Sequence, residues 1–167
     1  LVQKDIGNVL AKTGLGAGCR VVDAGTGAGA IALNFANVVG EKGRVFTYEI
    51  REDFAEVAQR NIDNFGINNI VVKNKDIKEG IDEQQLDLIF LDLPKPFEIF
   101  EDVYKSLRLG GWLVVYAPYI DQAEVAYRIA KKLGFKDLSI SETLERELEV
   151  RPQGTRPKTR MGGHTGY

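Results

Sequence analysis

Short runs of apolar and β-branched residues alternate along this chain with longer stretches whose apolar positions recur every three or four residues. The runs Arg20–Ala24, Arg44–Tyr48, Ile70–Asn74, Leu86–Leu91 and Trp112–Ala117 predict strands. Between them, Phe54, Val57, Ala58, Ile62 and Phe65 mark one face of a helix over Glu52–Phe65, with Gly66 as its stop. Ala123, Ala126, Ala130 and Leu133 repeat the pattern in Asp121–Leu133, before Gly134, and an opening helix spans roughly Lys4–Lys12. Strands separated by helices of this length need crossover connections, so the fold class is α/β with a mostly parallel sheet covered on both faces. The last part changes character. Leu138–Val150 and Met161–Tyr167 read as two strands with no helix between them, which predicts an antiparallel C-terminal hairpin closing one sheet edge, with Arg151–Lys158 as its loop.

Composition narrows the function. The single cysteine, Cys19, sits where a buried strand begins and excludes an internal disulfide or a Cys-rich zinc site. No apolar run is long enough to span a bilayer, and a cytoplasmic location is the expectation. The net charge is −2, yet Arg151, Arg156, Lys158 and Arg160 fall in a C-terminal segment without a single carboxylate, so the rest of the chain carries −6. Such a segment is either a solvated tail or a local contact for phosphates. The chain opens at Leu1 and closes on Gly-His-Thr-Gly-Tyr, so residues 1–167 are expected to form one domain of a longer protein.

The densest motif is Val21-Val22-Asp23-Ala24-Gly25-Thr26-Gly27-Ala28-Gly29-Ala30, a buried strand running into alternate glycines and then a helix. Glycine there lets the backbone turn tightly and approach a ligand closer than a Cβ permits. The spacing also satisfies the dinucleotide pattern G-x-G-x-x-G/A, so NAD stays open on the motif alone. Glu49 ends the second strand, where a carboxylate can accept hydrogen bonds from both ribose hydroxyls of an adenosine. Asp76 follows the third strand, positioned either to accept from an adenine amino group, with Ile77 as an apolar edge, or to cap the next turn. Asp23, the loop, Glu49 and Asp76 together resemble the class I S-adenosylmethionine-dependent methyltransferase (Rossmann-like) pattern more than the dehydrogenase one. That resemblance implies a seven-stranded sheet in the order 3-2-1-4-5-7-6 with strand seven antiparallel.

The fourth strand leads into Leu91-Asp92-Leu93-Pro94-Lys95-Pro96-Phe97, where two prolines stop the sheet and hold a rigid turn. A carboxylate and an aromatic ring on such a turn suit a planar, amino-bearing substrate. Asp-Leu-Pro-Lys-Pro-Phe, the glycine loop, the opening Gln3-Lys4-Asp5-Ile6 and the closing Met161-Gly162-Gly163-His164-Thr165-Gly166-Tyr167 together resemble the tRNA (adenine-N1)-methyltransferase family over essentially the whole chain. Members often carry Trp where Phe97 stands, and they possess a small N-terminal β-domain absent from this sequence. The resemblance implies methylation of adenine 58 in the tRNA T-loop, with position 57 added in archaeal members, and a homotetramer. It places cofactor contacts for S-adenosyl-L-methionine on Ala28, Gly29, Ala30, Glu49, Asp76 and Ile77, beside Gly25, Gly27 and Asp92, with Leu1–Gln3 closing over the methionine end. Asp92 takes the catalytic position. Phe97, Arg160 and His164 are the substrate-binding candidates, although a core role for Phe97 and a structural hydrogen bond for His164 fit equally well. Tyr116, Pro118 and Tyr119 are further candidates for pocket walls. Rival readings are another methyltransferase of this fold, such as a precorrin or isoaspartyl enzyme, an NAD-dependent oxidoreductase, and a non-enzymatic tRNA-holding subunit.

Overall fold

The computed structural model describes residues 3–158 and 166–167. All five parallel strands form: β1 (Arg20–Ala24), β2 (Arg44–Glu49), β3 (Ile70–Asn74), β4 (Leu86–Leu91) and β5 (Leu107–Val115). They lie in the order β3-β2-β1-β4-β5. The chain therefore builds outward from β1 through β3, then returns to place β4 on the other side of β1. A ligand crevice opens at the carboxyl ends of the strands where the order reverses in this way.

Helices α1 (Gln3–Thr13), α2 (Ala30–Val39), α3 (Glu52–Phe65), α4 (Phe100–Ser106) and α5 (Ile120–Leu133) cover the sheet. Period-two alternation sorts each strand's side chains between the two faces. Val21, Val45, Leu88 and Phe90 pack with Ile31, Phe35 and Val39 of α2, and α1 adds Ile6, Val9 and Leu10. Val22, Ala24, Ile89 and Leu91 pack on the opposite face against α4 and α5, through Phe100, Val103, Ala126 and Ala130. Strands buried on both faces explain why their sequences read as continuous apolar runs.

Three expectations need correction. β5 begins at Leu107 rather than Trp112, because Leu86 pairs with Leu107 while Leu88 pairs with Trp112, which bulges the intervening Arg108–Gly111 out of the ladder. The Gly110-Gly111 pair breaks the apolar pattern that otherwise marks a strand. Secondly, Leu138–Val150 forms a strand only over Leu148–Arg151 (β6), which pairs antiparallel with Gly154–Pro157 (β7) as a separate two-stranded sheet. The segment expected to be a loop thus supplies the turn and the second strand. Pairing across the two-residue turn Pro152-Gln153 closes a much shorter loop than pairing with a distant segment, at lower entropic cost. Thirdly, the seven-stranded order 3-2-1-4-5-7-6 is replaced by five parallel strands and that hairpin. Of the expected strand Met161–Tyr167, residues 161–165 lie outside the described residues. Tyr167 exchanges two backbone hydrogen bonds with Ala117, at 2.7 and 2.6 Å, just past the end of β5.

A cavity of about 700 Å³ lies along the outer edge of β5, between α1, α5 and residues 134–143, and none of Gly25, Glu49, Asp76 or Asp92 lines it. Its lining mixes apolar residues such as Leu113, Val115 and Ala126 with polar ones such as Asp5, Lys12, Arg108 and Ser141. Among the described residues, no helix is long and apolar enough to cross a membrane.

Gly43 sets the closest approach in the fold's first crossover. A Cβ there would lie 2.4 Å from Val39 Cβ and 2.7 Å from the Cys19 carbonyl oxygen. Gly43→Ala is predicted to destabilise the protein by about 2–3 kcal/mol through overpacking. Urea denaturation measures this, and an unchanged midpoint would contradict the contact.

Candidate cofactor and substrate site

The alternation that buries Val21 and Val45 on the α2 face also carries Asp23, Thr47 and Glu49 to that face, at the carboxyl end of the sheet. Asp23 and Thr47 are partners in the parallel register. The Thr47 hydroxyl donates to Asp23 Oδ2 at 2.7 Å, and Thr26 Oγ1 lies 2.6 Å from Thr47 Oγ1. The Thr26 amide donates to the Tyr48 carbonyl, so the glycine loop is tied to β2 by both backbone and side chain. All three polar residues are buried, and Asp23 Oδ1 has no hydrogen-bond partner among the described residues. Desolvation raises the Asp23 pKa to about 7; the Thr47 hydrogen bond opposes the shift and the charges of Asp92 and Glu49 add to it.

Glu49 is only 5% exposed. The Gly27 amide donates to its Oε2 at 3.0 Å, while the Arg51 amide and Nε donate to its Oε1 at 3.1 and 3.3 Å. The Arg51 guanidinium also stacks over Phe54, 3.5 Å from the ring centroid. Glu49 is therefore fixed in orientation before any ligand arrives. Gly27 and Gly29 adopt φ values of 53° and 86°, and a Cβ on Gly29 would meet Ala58 of α3 at 3.4 Å. Left-handed backbone and the close approach of α3 both require glycine at Gly29. The loop delivers Ala28 and Gly29 to the start of α2, whose first turn holds no acidic side chain and no side-chain cap. Unpaired amides at such a terminus favour a negatively charged or polar ligand group.

Gly25 adjoins the Glu49 carboxylate and the main chain of Asp92. A Cβ placed there would lie 3.8 Å from the Asp92 carbonyl oxygen and 3.9 Å from Glu49 Oε2, in the space a bound ligand would use. The Asp92 amide donates to the Ala24 carbonyl at 2.6 Å, which anchors the turn after β4 to the root of the glycine loop. The Asp92 side chain reaches solvent, yet desolvation by its surroundings raises its pKa above the ordinary carboxylate value.

The structure separates the other candidates. Asp76 caps the 3-10 turn Ile77–Glu79, its Oδ1 accepting from the Lys78 amide at 2.9 Å, so its capping role is present and its other oxygen faces no donor in that turn. Ile77 is buried in the core beneath it. Phe97 packs half-buried against the cluster containing Ile99 and Phe100, which makes it part of the core rather than a free platform. Arg151 and Arg156 pair with Glu149, at 2.7 and 3.8 Å, and Lys158 pairs with Glu147. The three described cations of the basic segment are thus matched by carboxylates on and just before the preceding strand. Tyr116 packs in the α2-side core, and Tyr119 is exposed at the start of α5. Leu1, Arg160 and His164 lie outside the described residues. Sequence reasoning missed Thr26, Thr47 and Arg51. Thr47 and Glu49 two residues apart in an otherwise apolar strand were the available signal for a polar face.

The family model described as tRNA methyltransferase complex GCD14 subunit matches residues 1–162. The tRNA (adenine(57)-N(1)/adenine(58)-N(1))-methyltransferase TrmI of Methanocaldococcus jannaschii is 39% identical over 194 residues, covering 100% of this chain and 69% of the relative. The chain belongs to the tRNA (adenine-N1)-methyltransferase family. Among solved structures, the tRNA (m1A58) methyltransferase TrmI of Aquifex aeolicus superposes with a TM-score of 0.90 at 28% identity, covering 100% of this chain and 67% of that one. A protein described as a SAM-dependent O-methyltransferase, from Thermotoga maritima, gives 0.95 at 33% identity, covering 100% of this chain and 63% of that one. The fold is that of class I S-adenosylmethionine-dependent methyltransferases, and the chain spans roughly two thirds of these relatives' lengths.

Asp23 provides a test of the site's electrostatics. Its native pKa stands above the unfolded value of about 3.9, so between about pH 4 and 7 the native state keeps a proton that the unfolded chain has released. Stability contributed by Asp23 is therefore greatest at low pH and falls as pH rises to about 7. Asp23→Asn is predicted to remove that fall. The variant's unfolding free energy minus that of the unaltered protein should grow across this window, reach a few kcal/mol and level off above it. Urea denaturation at several pH values measures this, and a pH-independent difference would refute it.

Proposed function

We propose that this chain transfers a methyl group from S-adenosyl-L-methionine to N1 of adenine in the T-loop of tRNA, at position 58 and also at 57, as in the name of its archaeal relative. The observation that carries the reading is the convergence on Gly25 of the Glu49 carboxylate and the Asp92 main chain, at the reversal point of a methyltransferase sheet. The residues present fit the cofactor. Gly25 leaves open the space a Cβ would fill, Glu49 is an oriented acceptor for a ribose diol, and buried Asp23 Oδ1 awaits a donor. Gly25, Gly27, Ala28, Gly29 and Ala30 would form the cradle, and Asp76 and Ile77 the adenine end. When bound, the cofactor supplies an electrophilic methyl group on a sulfonium.

Methyl transfer from such a centre needs alignment and charge stabilisation more than acid–base chemistry. Adenine N1 is a neutral, weak nucleophile, and the ring becomes cationic as the N1–methyl bond forms. Asp92 would accept a hydrogen bond from the exocyclic amino group, orient N1 and strengthen its attraction as positive charge develops. Position 58 must leave the tRNA fold to reach such a site, as in other base-modifying enzymes. Homotetrameric assembly is part of the same proposal and is supported by Leu144, Leu148 and Val150, which are 64%, 61% and 81% exposed on and beside the β6–β7 hairpin.

Asp92→Ala is predicted to bind S-adenosylhomocysteine as the unaltered protein does, while methylation of tRNA falls by about a hundredfold or more. Glu49→Ala should instead lose cofactor affinity. Calorimetry and mass spectrometry of nucleosides from treated tRNA measure the two effects, and full methylation by Asp92→Ala would sink the assignment. The O-methyltransferase description of the Thermotoga protein raises a small-molecule substrate as the second reading. Absence of 1-methyladenosine from tRNA treated with a protein that binds S-adenosylhomocysteine would favour it.

A further inference from the structure

A buried polar cluster lies on the sheet face opposite the glycine loop, outside the machinery described above. Tyr48 is 1% exposed. Its hydroxyl donates to Glu83 Oε2 at 2.5 Å, and accepts from the Asp82 amide at 3.1 Å and from Lys73 Nζ at 3.3 Å. Lys73 also pairs with Glu83 Oε1 and, at 2.9 Å, with Asp82 Oδ2, while Lys75 binds Asp82 Oδ1 at 2.7 Å. Tyr48 and Lys73 are direct neighbours in the β2–β3 register.

Chain connectivity gives the cluster its meaning. Tyr48 immediately precedes Glu49, and Lys75 immediately precedes Asp76. Asp82 and Glu83 lie on the return of the same loop, beyond the Ile77–Glu79 turn. The loop leaves β3 beside two lysines and is drawn back to those lysines and to Tyr48 before it enters β4. Asp76 and Ile77 are enclosed between these attachments, and Ile77 and Ile81 pin the loop to the core from below.

We propose that Tyr48, with Lys73, Asp82 and Glu83, is a positioning device that sets the distance between Glu49 and the Asp76–Ile77 loop, and so the fit of the cofactor's adenosine. The proposal rests on the cofactor reading above, in which Glu49 meets the ribose and Asp76–Ile77 meets the adenine. Its buried members, Tyr48 and Glu83, have few alternative arrangements, because a buried polar group left without a partner is costly. The titration behaviour agrees. Burial and the Glu83 hydrogen bond push the Tyr48 pKa up to about 12. Burial works against the Lys73 charge, yet its bonds to Glu83 and Asp82 prevail and raise its pKa.

Tyr48→Phe removes the hub oxygen and keeps the ring that fills the core. Calorimetry is done with S-adenosylhomocysteine and, separately, with 5′-methylthioadenosine, which lacks the amino-acid end. Both affinities are expected to weaken by the same factor, about tenfold, with KM for tRNA and kcat at saturating cofactor unchanged. Unchanged affinities overturn the proposal. So does equal weakening by Val39→Ala, a core variant at the last residue of α2 in the cluster on the opposite sheet face, because the effect would then be general loosening. If Tyr48→Phe does not fold, Asp82→Asn at a half-exposed carboxylate carries the same expectation and the same refutation. Failure of the unaltered protein to bind either ligand would overturn the cofactor reading itself, and this proposal with it.

Discussion

The hydrogen-bonded line from Thr26 through Thr47 to Asp23 is the constraint on which the site depends. It holds a charge-capable group in the dry interior of a parallel sheet, where no other described residue reaches Asp23 Oδ1. Burying a carboxyl in this way is costly unless it is neutralised or paired. The fold accepts the cost at the one point where the glycine loop must be tied to both central strands. Loss of the line would leave the loop held to β2 by the Thr26 amide on the Tyr48 carbonyl and the Gly27 amide on Glu49 alone.

The two faces of the sheet divide the labour. On the α2 face, alternating positions of β1 and β2 carry polar groups upward to the ligand crevice. On the α4–α5 face, Tyr48 closes the loop that follows β3 without touching the crevice. Adjacent residues of β2 thus serve opposite sides, Tyr48 below and Glu49 above. A parallel strand can do this because successive side chains point to opposite faces.

The central sheet and its helices were legible in the sequence because the strands are apolar on both faces and α3 and α5 carry a clear helical stripe. The ends of the pattern were less legible. Gly110-Gly111 hid the first residues of β5, and a local hairpin around Pro152-Gln153 replaced an expected long-range pairing. Glu49 and Asp92 could be placed from their positions at strand ends alone. Thr47, Arg51 and Tyr48 could not, since their roles depend on register between strands and on a loop returning from elsewhere. Phe97 was open to two readings, a platform or a core aromatic, and its packing against the cluster of Ile99 and Phe100 favours the second.

The pairing of Arg151, Arg156 and Lys158 with Glu149 and Glu147 changes how this hairpin can meet a polyanion. Matched charges on one small element form a multipole whose field decays faster with distance than that of a bare cationic tail. A phosphate arriving there must displace a carboxylate already in place, so binding at the hairpin becomes an exchange of ionic partners. The nucleic acid sheds condensed counterions in that exchange, but the displaced carboxylates take cations back. The net release would be small, so any binding of a polyanion at this hairpin would depend only weakly on ionic strength.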